Sequence, residues 1–294
     1  MPLLALLLVV IAAFTHASWN LLAKRAAHCR HFNWYYSTGA ALLFLPLAAF
    51  ALIDFAPRVS IAAMLVLLST CILHALYSES LQRGYRAADL SVVYPIARGT
   101  GPLISFVGAI FVLDEHPSLV ATAGALLVVA GVLVLAGGRR LWRELRTPHE
   151  ARGTVVAGLY WGGLTGLLIA AYTLNDGYAV KVLLIPPLLV DYVGNLFRSL
   201  ILAPRALRDR ATVAIEYPRF WKEALGVSIL GPAGYILVLY AMTLAPVSHV
   251  APAREMSMMI GAWFGARLLG EGHVMQRVLG AGLIVAGVGA LALG

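Results

Sequence analysis

Two arginines, Arg98 and Arg254, stand in otherwise apolar surroundings and have the most specific chemistry to offer. A guanidinium presents a planar fork of donors that can hold a carboxylate with two parallel hydrogen bonds. Arg98 lies one helical turn after Tyr94 in Tyr94-Pro95-Ile96-Ala97-Arg98, and Arg254 follows Ala251-Pro252-Ala253 and precedes Glu255. The alternative for both is that the side chain snorkels to a lipid headgroup or closes a loop. His16, Trp19 and Asn20 stand at i, i+3 and i+4 and share one face of a helix. They form either a polar cavity wall, with Trp19 as a stacking surface, or a set of bonds to neighbouring helices. His74 and Tyr77 share a face in the same way. Glu79 follows them, either as a buried proton carrier or as half of an i+4 pair with Arg83. Asp191, with Asn195 and Arg198 at i+4 and i+7, is either a structural pair or a second proton site. Trp161, Tyr172 and Tyr235 add aromatic area to candidate cavity helices, or else belong to an interfacial belt.

The elements that must position these groups are written in the composition. The chain of 294 residues is 61% hydrophobic and 12% charged, with a mean hydropathy of +0.84. A soluble domain is about 45–50% apolar and about 25% charged. Apolar runs near 18 residues recur along it, each long enough to cross a bilayer as a helix. Ten spans fit, near 3–22, 33–53, 61–82, 89–111, 118–137, 153–173, 180–202, 223–243, 247–268 and 275–293. The first lacks the basic lead of a signal peptide and reads as a retained span. The arginine-rich segment 139–152 reads as an interfacial linker helix between a first unit, 1–138, and a second, 153–294.

Those units are copies. Residues 93–138 match 249–294 at a constant offset of 156, pairing Arg98 with Arg254, Glu115 with Glu271, Gly124 with Gly280 and Gly131 with Gly287. A repeated unit of five spans must enter the membrane from opposite sides in its two copies. The expected fold is therefore an all-α integral membrane protein of ten transmembrane helices in two inverted five-helix repeats, with a site at the repeat interface. Glu115 and Glu271 read as residues at helix termini. Loops 1–2, 3–4, 5–6 and 7–8 carry nearly all the basic residues, which puts them in the cytoplasm and both termini outside. The net charge of +8 is then an orientation and lipid-attraction signal, and nothing in it suggests nucleic acid.

His28-Cys29-Arg30-His31 lacks the four-ligand spacing of structural zinc, and two cysteines give no disulfide framework. No cofactor is expected. A nucleotide-binding loop is missing, as are the HExxH and GxSxG signatures of an embedded enzyme. A channel or sensor remains the other alternative; a channel would suggest a repeated charged ring or filter, for which the pair Arg98 and Arg254 is weak support.

Taken together, His16-Ala17-Ser18-Trp19-Asn20 with Lys24, Tyr94-Pro95-Ile96-Ala97-Arg98-Gly99, Tyr172-Thr173-Leu174-Asn175-Asp176-Gly177 and Ala251-Pro252-Ala253-Arg254-Glu255 resemble the drug/metabolite transporter superfamily, in particular its ten-helix EamA-type transporters. The resemblance implies export of small metabolites, amino acids among them, from a cavity lined by helices 1, 3 and 4 of each half. It implies a multi-pass protein of the inner (cytoplasmic) membrane, a small-molecule substrate, the lipid bilayer as partner, and a monomer or homodimer. Several exporters of this type keep both termini in the cytoplasm, whereas the loops here argue for the opposite.

Overall fold

In lipid, every backbone N–H and C=O must find its partner within the protein, and a helix meets that condition segment by segment. The computed structural model describes residues 1–26, 28–88, 90–135, 152–269 and 274–294, and the expected linker helix lies almost wholly outside them. The described elements are helices α1 (Leu3–Arg25), α2 (Phe32–Phe55), α3 (Ile61–Ala87), α4 (Leu90–Val112), α5 (Leu119–Leu135), α6 (Arg152–Lys181), α7 (Pro187–Arg208), α8 (Arg210–Leu244), α9 (Val247–Ala253), α10 (Met256–Leu269) and α11 (Val274–Leu293), with one 3-10 turn over Ala56–Arg58. Among the described residues, six helices are long and apolar enough to cross a bilayer: α1, α2 with its 3-10 turn, α3, α4, α6 and α8. The chain is a multi-pass membrane protein.

Small residues let these helices approach to backbone contact. A Cβ added at Gly124 would lie 2.7 Å from the Gly287 carbonyl oxygen, and one at Gly131 would lie 2.7 Å from that of Gly280. As the number on α5 rises, the number on α11 falls, so the two helices run antiparallel. The offset of 156 turns the contact Gly124–Gly287 into Gly280–Gly131, the other contact observed. Helix α6 runs parallel to α4 through a ladder of the same kind. Gly158 faces Val92, Gly162 faces Ile96, Gly166 faces Thr100 and Gly108 faces Leu174. Helix α8 packs antiparallel to α1, with Gly226 on Leu22 and Gly234 on Thr15.

The connections sort into two ends. At one, Arg30 and His31 meet Asp209 at 3.2 and 2.9 Å, and the Arg30 backbone N–H donates to Glu216 at 2.8 Å. At the other, the terminal ammonium of Met1 donates to the Ala292 carbonyl at 2.8 Å, and Gly294 sits against Ser118 and Ala121. Both termini thus lie on one side, opposite the loop pair around Arg30 and Asp209.

Three expectations change. The fourth span carries Pro95 and Pro102, residues that would break or bend a helix, yet it is the continuous helix α4. The break falls in the ninth span, where residues 254 and 255 separate α9 from α10. There Glu255 N–H bonds to the Pro252 carbonyl, Ser257 N–H to Arg254 and Met258 N–H to Glu255, an i to i+3 pattern that tightens the chain before α10 begins. The sixth span, expected to end at 173, continues to Lys181 through Asn175-Asp176-Gly177. Those polar residues do not end the helix because α3 supplies their partners within the bundle. Helix α8 also begins earlier than expected, at Arg210, and carries Pro218 inside it.

The start of α9 is fixed from the first half of the chain. Glu115, in the turn after α4, accepts the backbone N–H groups of Val247 at 2.7 Å and Ser248 at 2.9 Å. Lys181 pairs with the same carboxylate at 3.1 Å. An acid at a helix start satisfies orphan donors and opposes the positive end of the macrodipole. Burial pushes the Glu115 carboxyl up, but the bonds from Ser248 and Val247 and the Lys181 charge outweigh it and hold it below the usual carboxylate range. Its repeat partner Glu271 lies outside the described residues.

Candidate functional site

The break between α9 and α10 carries the first group of charges. Arg98, on α4, reaches Glu255 with a nitrogen-to-oxygen distance of 2.9 Å, and the side chains are 13% and 1% exposed. Arg254 lies 3.9 Å from the same carboxylate. It also donates to the Tyr172 hydroxyl at 3.4 Å and the Thr173 hydroxyl at 3.3 Å, with its guanidinium over the Tyr172 ring at 5.7 Å. Two cations therefore share one buried anion. Among the described residues, Arg98 Nε and both Glu255 oxygens lack a well-aligned hydrogen bond although the ion pair is close. A buried charge without its full set of bonds is expensive. The cluster therefore has spare capacity, positive in sum, for an anionic group.

Tyr172 joins this group to a second. Its ring stacks on His74 with centroids 4.3 Å apart and meets Tyr77 edge-on at 5.5 Å. His74 Nε2 lies 3.0 Å from Asp176, whose side chain is fully buried. Asp176 also accepts from the Thr70 hydroxyl at 2.6 Å, from Asn175 at 3.2 Å and, in a short bond, from the Tyr235 hydroxyl. Asn175 in turn donates to Thr70 at 2.7 Å and accepts from Ser69 at 2.5 Å. Helices α3, α6 and α8 thus converge on one carboxylate.

The structure brings together Arg98, Arg254, Glu255, His74, Tyr77, Tyr172 and Tyr235 from the sequence-derived set. Tyr94 stays within electrostatic reach of Arg98, and His16 within reach of both arginines. Trp19 and Asn20 point elsewhere. Asn20 donates to the His16 carbonyl of its own helix at 2.7 Å, and Trp19 packs against the cluster of Ala26, Phe32, Tyr35 and Val227. Trp161 lies under the Arg83 guanidinium at 5.8 Å, about 16 Å along α6 from Tyr172 at 1.5 Å per residue. Glu79 takes the i+4 partner, Arg83, at 2.7 Å, and both side chains are more than half exposed. Asp191 accepts from Asn195 at 2.9 Å, while Arg198 turns to the Tyr36 hydroxyl at 3.1 Å rather than to Asp191.

Asp176, Thr70, Asn175 and Thr173 were missed as site residues. A signal existed, because subtracting 156 from Asp176 gives Asn20 and from Tyr172 gives His16. The polar face noticed in the first span therefore has an acidic copy in the sixth. Two surface cavities among the described residues lie away from these charges. One, of about 380 Å³, is an apolar groove between α2, α3 and α7 lined by Leu52, Phe55, Met64 and Tyr192. The other, of about 310 Å³, lies around Lys181 and Pro186.

A bundle of membrane-spanning helices thus encloses a continuous, solvent-poor polar cluster, and polar groups at that depth mark pathways and binding sites. Residues 3–137 match the model of the EamA-like transporter family. No curated relative matches the chain. A protein of known crystal structure is similar over 98% of this chain and 97% of its own, with a TM-score of 0.72 and 16% identity, a likeness of fold alone.

Proposed function

We propose that the whole chain is a secondary carrier, working by alternating access of two inverted five-helix repeats, residues 1–138 and 153–294, around the Arg98–Glu255–Arg254 cluster. The observation that carries this reading is that Arg98 comes from α4 and Glu255 from the broken ninth span, so the two halves meet on buried charge. The antiparallel contact of α5 with α11, self-consistent under the offset of 156, supports the inversion. In such carriers, broken helices at the repeat interface hold the substrate near mid-membrane.

The two-cation, one-anion arrangement suits a small metabolite with a carboxylate and an ammonium, amino acids among them. Arg98 and Arg254 would bind the carboxylate, Glu255 would face the ammonium, and Tyr77, Tyr94, Tyr172 and Tyr235 would line the route with His16 and His74. We assign the direction as export across the inner membrane, with the arginine-rich loops in the cytoplasm and both termini outside. A monomer or a homodimer serves this mechanism, and no cofactor enters it.

The test is flux of a radiolabelled amino-acid panel through proteoliposomes of the purified chain. Saturable uptake that counter-exchanges with unlabelled substrate is expected. A conductance that does not saturate would assign a channel, and no movement of any member would remove the amino-acid reading.

A further inference from the structure

We propose that His74 and Asp176, with the Tyr235 hydroxyl, form a binding site for one proton whose occupancy is felt at Arg254 through the ring of Tyr172. This deepens the carrier reading above, because it supplies the ion that would drive the same site.

The geometry carries the argument in three steps. Asp176 already has donors from Thr70, Asn175 and Tyr235, enough to satisfy both oxygens of a structural carboxylate. A histidine is added to that set, 3.0 Å from Asp176. Histidine is the one side chain whose unperturbed charge changes near neutral pH. The pair is also not sealed: the Asp176 side chain is 0% exposed but that of His74 is 19% exposed, so a proton from water has an entry at the imidazole. Finally, the Tyr172 ring is shared. His74 stacks on it at 4.3 Å, and the Arg254 guanidinium lies over it at 5.7 Å. A ring face attracts cations, so a charged imidazole and Arg254 compete for the same electrons while repelling one another.

The groups that face the pair are few. Helix α3 contributes Thr70, Cys71 and Tyr77, α6 contributes Tyr172 and Asn175, and α8 contributes Tyr235. From α7, Asp191 lies within electrostatic reach of Asp176, and from the α9–α10 break comes Arg254. A proton taken from water on one side is held between His74 Nε2 and Asp176 Oδ2 and returned to water, with no other reactant. Its arrival adds one positive charge beside Arg254, which loosens Arg254 from Tyr172 and shifts the turn at residues 254 and 255.

The test needs no substrate. Hydrogen–deuterium exchange of the segment 247–260 is measured on the full chain in proteoliposomes at pH 5.5 and 8.5, with correction for intrinsic rates and at fixed sodium. The expected result is a corrected difference of about tenfold in the wild type, the ordinary size of coupling between two sites. That difference should vanish in His74→Gln and in Tyr235→Phe, the second variant guarding against misfolding of the first. No difference in the wild type, or a difference kept in both variants, overturns the proposal. Because the readout requires no transport, a failed flux assay and a failed proton site are told apart.

Discussion

Removing Glu255 should destabilise the protein more than removing Arg98, and removing both should cost less than the sum of the two. The ion pair joins Arg98 and Glu255 at 2.9 Å with side-chain exposures of 13% and 1%. Breaking a buried pair by deleting one partner costs about 3–5 kcal/mol, whereas replacing both partners with apolar residues is often nearly neutral. The neighbour that grades the two single changes is Arg254, 3.9 Å from Glu255. Arg98→Met leaves Glu255 with Arg254 as a remaining counter-ion, so its effect belongs at about 3 kcal/mol, the lower end. Glu255→Leu leaves two guanidinium groups facing one another with no anion between them, which places it at about 5 kcal/mol. A kilocalorie shifts the unfolding midpoint of a chain of 150–250 residues by about 2–4 °C. The expected falls are about 6–12 °C for Arg98→Met and about 10–20 °C for Glu255→Leu. The double variant should fall short of the sum by about 0.5–3 kcal/mol or more. Thermal unfolding of the four proteins in one detergent, at one pH and salt, makes the measurement. Strictly additive shifts would show that the two side chains do not act on each other. A larger loss from Arg98→Met than from Glu255→Leu would refute the role given to Arg254.

Two further outcomes can be measured on the same preparation. Gly287→Ala should unfold at lower temperature than Gly289→Ala, two residues along the same helix. The first Cβ would meet the Gly124 carbonyl oxygen at 2.6 Å and the second meets nothing, so overpacking of about 1–3 kcal/mol separates them and equal midpoints would undo the α5–α11 contact. Glu115 has its carboxyl held low, so its contribution is complete above the unfolded value of about 4.3 and fades as the pH falls through the folded one. The wild type should therefore lose more stability than Glu115→Gln between pH 6 and pH 3.5, and parallel curves would separate Glu115 from the start of α9.

The helical, membrane-spanning character was legible because membrane helices announce themselves through length and composition, and an offset between similar stretches is arithmetic. The offset of 156 located Arg254 from Arg98 without any reference to distance, and the structure sets both against Glu255. Proline was the weaker guide. Pro46, Pro95, Pro102, Pro204, Pro218 and Pro232 all lie inside continuous helices. Pro252, by contrast, directly precedes a break inside a span, where the arginine and the glutamate follow at once. The missing amide of a proline is tolerated where neighbours and local adjustments satisfy the freed carbonyl. The residue type alone therefore does not decide between a bend and an interruption.

Asp176 shows why faces do not suffice. In the sequence, Asn175-Asp176-Gly177 looks like the polar end of a span, and a carboxylate there would ordinarily meet water. In the bundle the same triplet is interior, because α3 presents Ser69, Thr70 and His74 at the matching depth. Periodicity assigns Thr70 and His74 to one side of α3, four residues apart. What faces that side depends on how closely α3 and α6 approach, and that is set by packing between segments about a hundred residues apart. The same reasoning separates the two histidines that the sequence treated alike. His74 gained a carboxylate from across the bundle. His16, whose repeat partner is Tyr172, found its own Trp19 at 5.0 Å. Positions 156 residues apart therefore do not meet like partners, because those partners come from other helices.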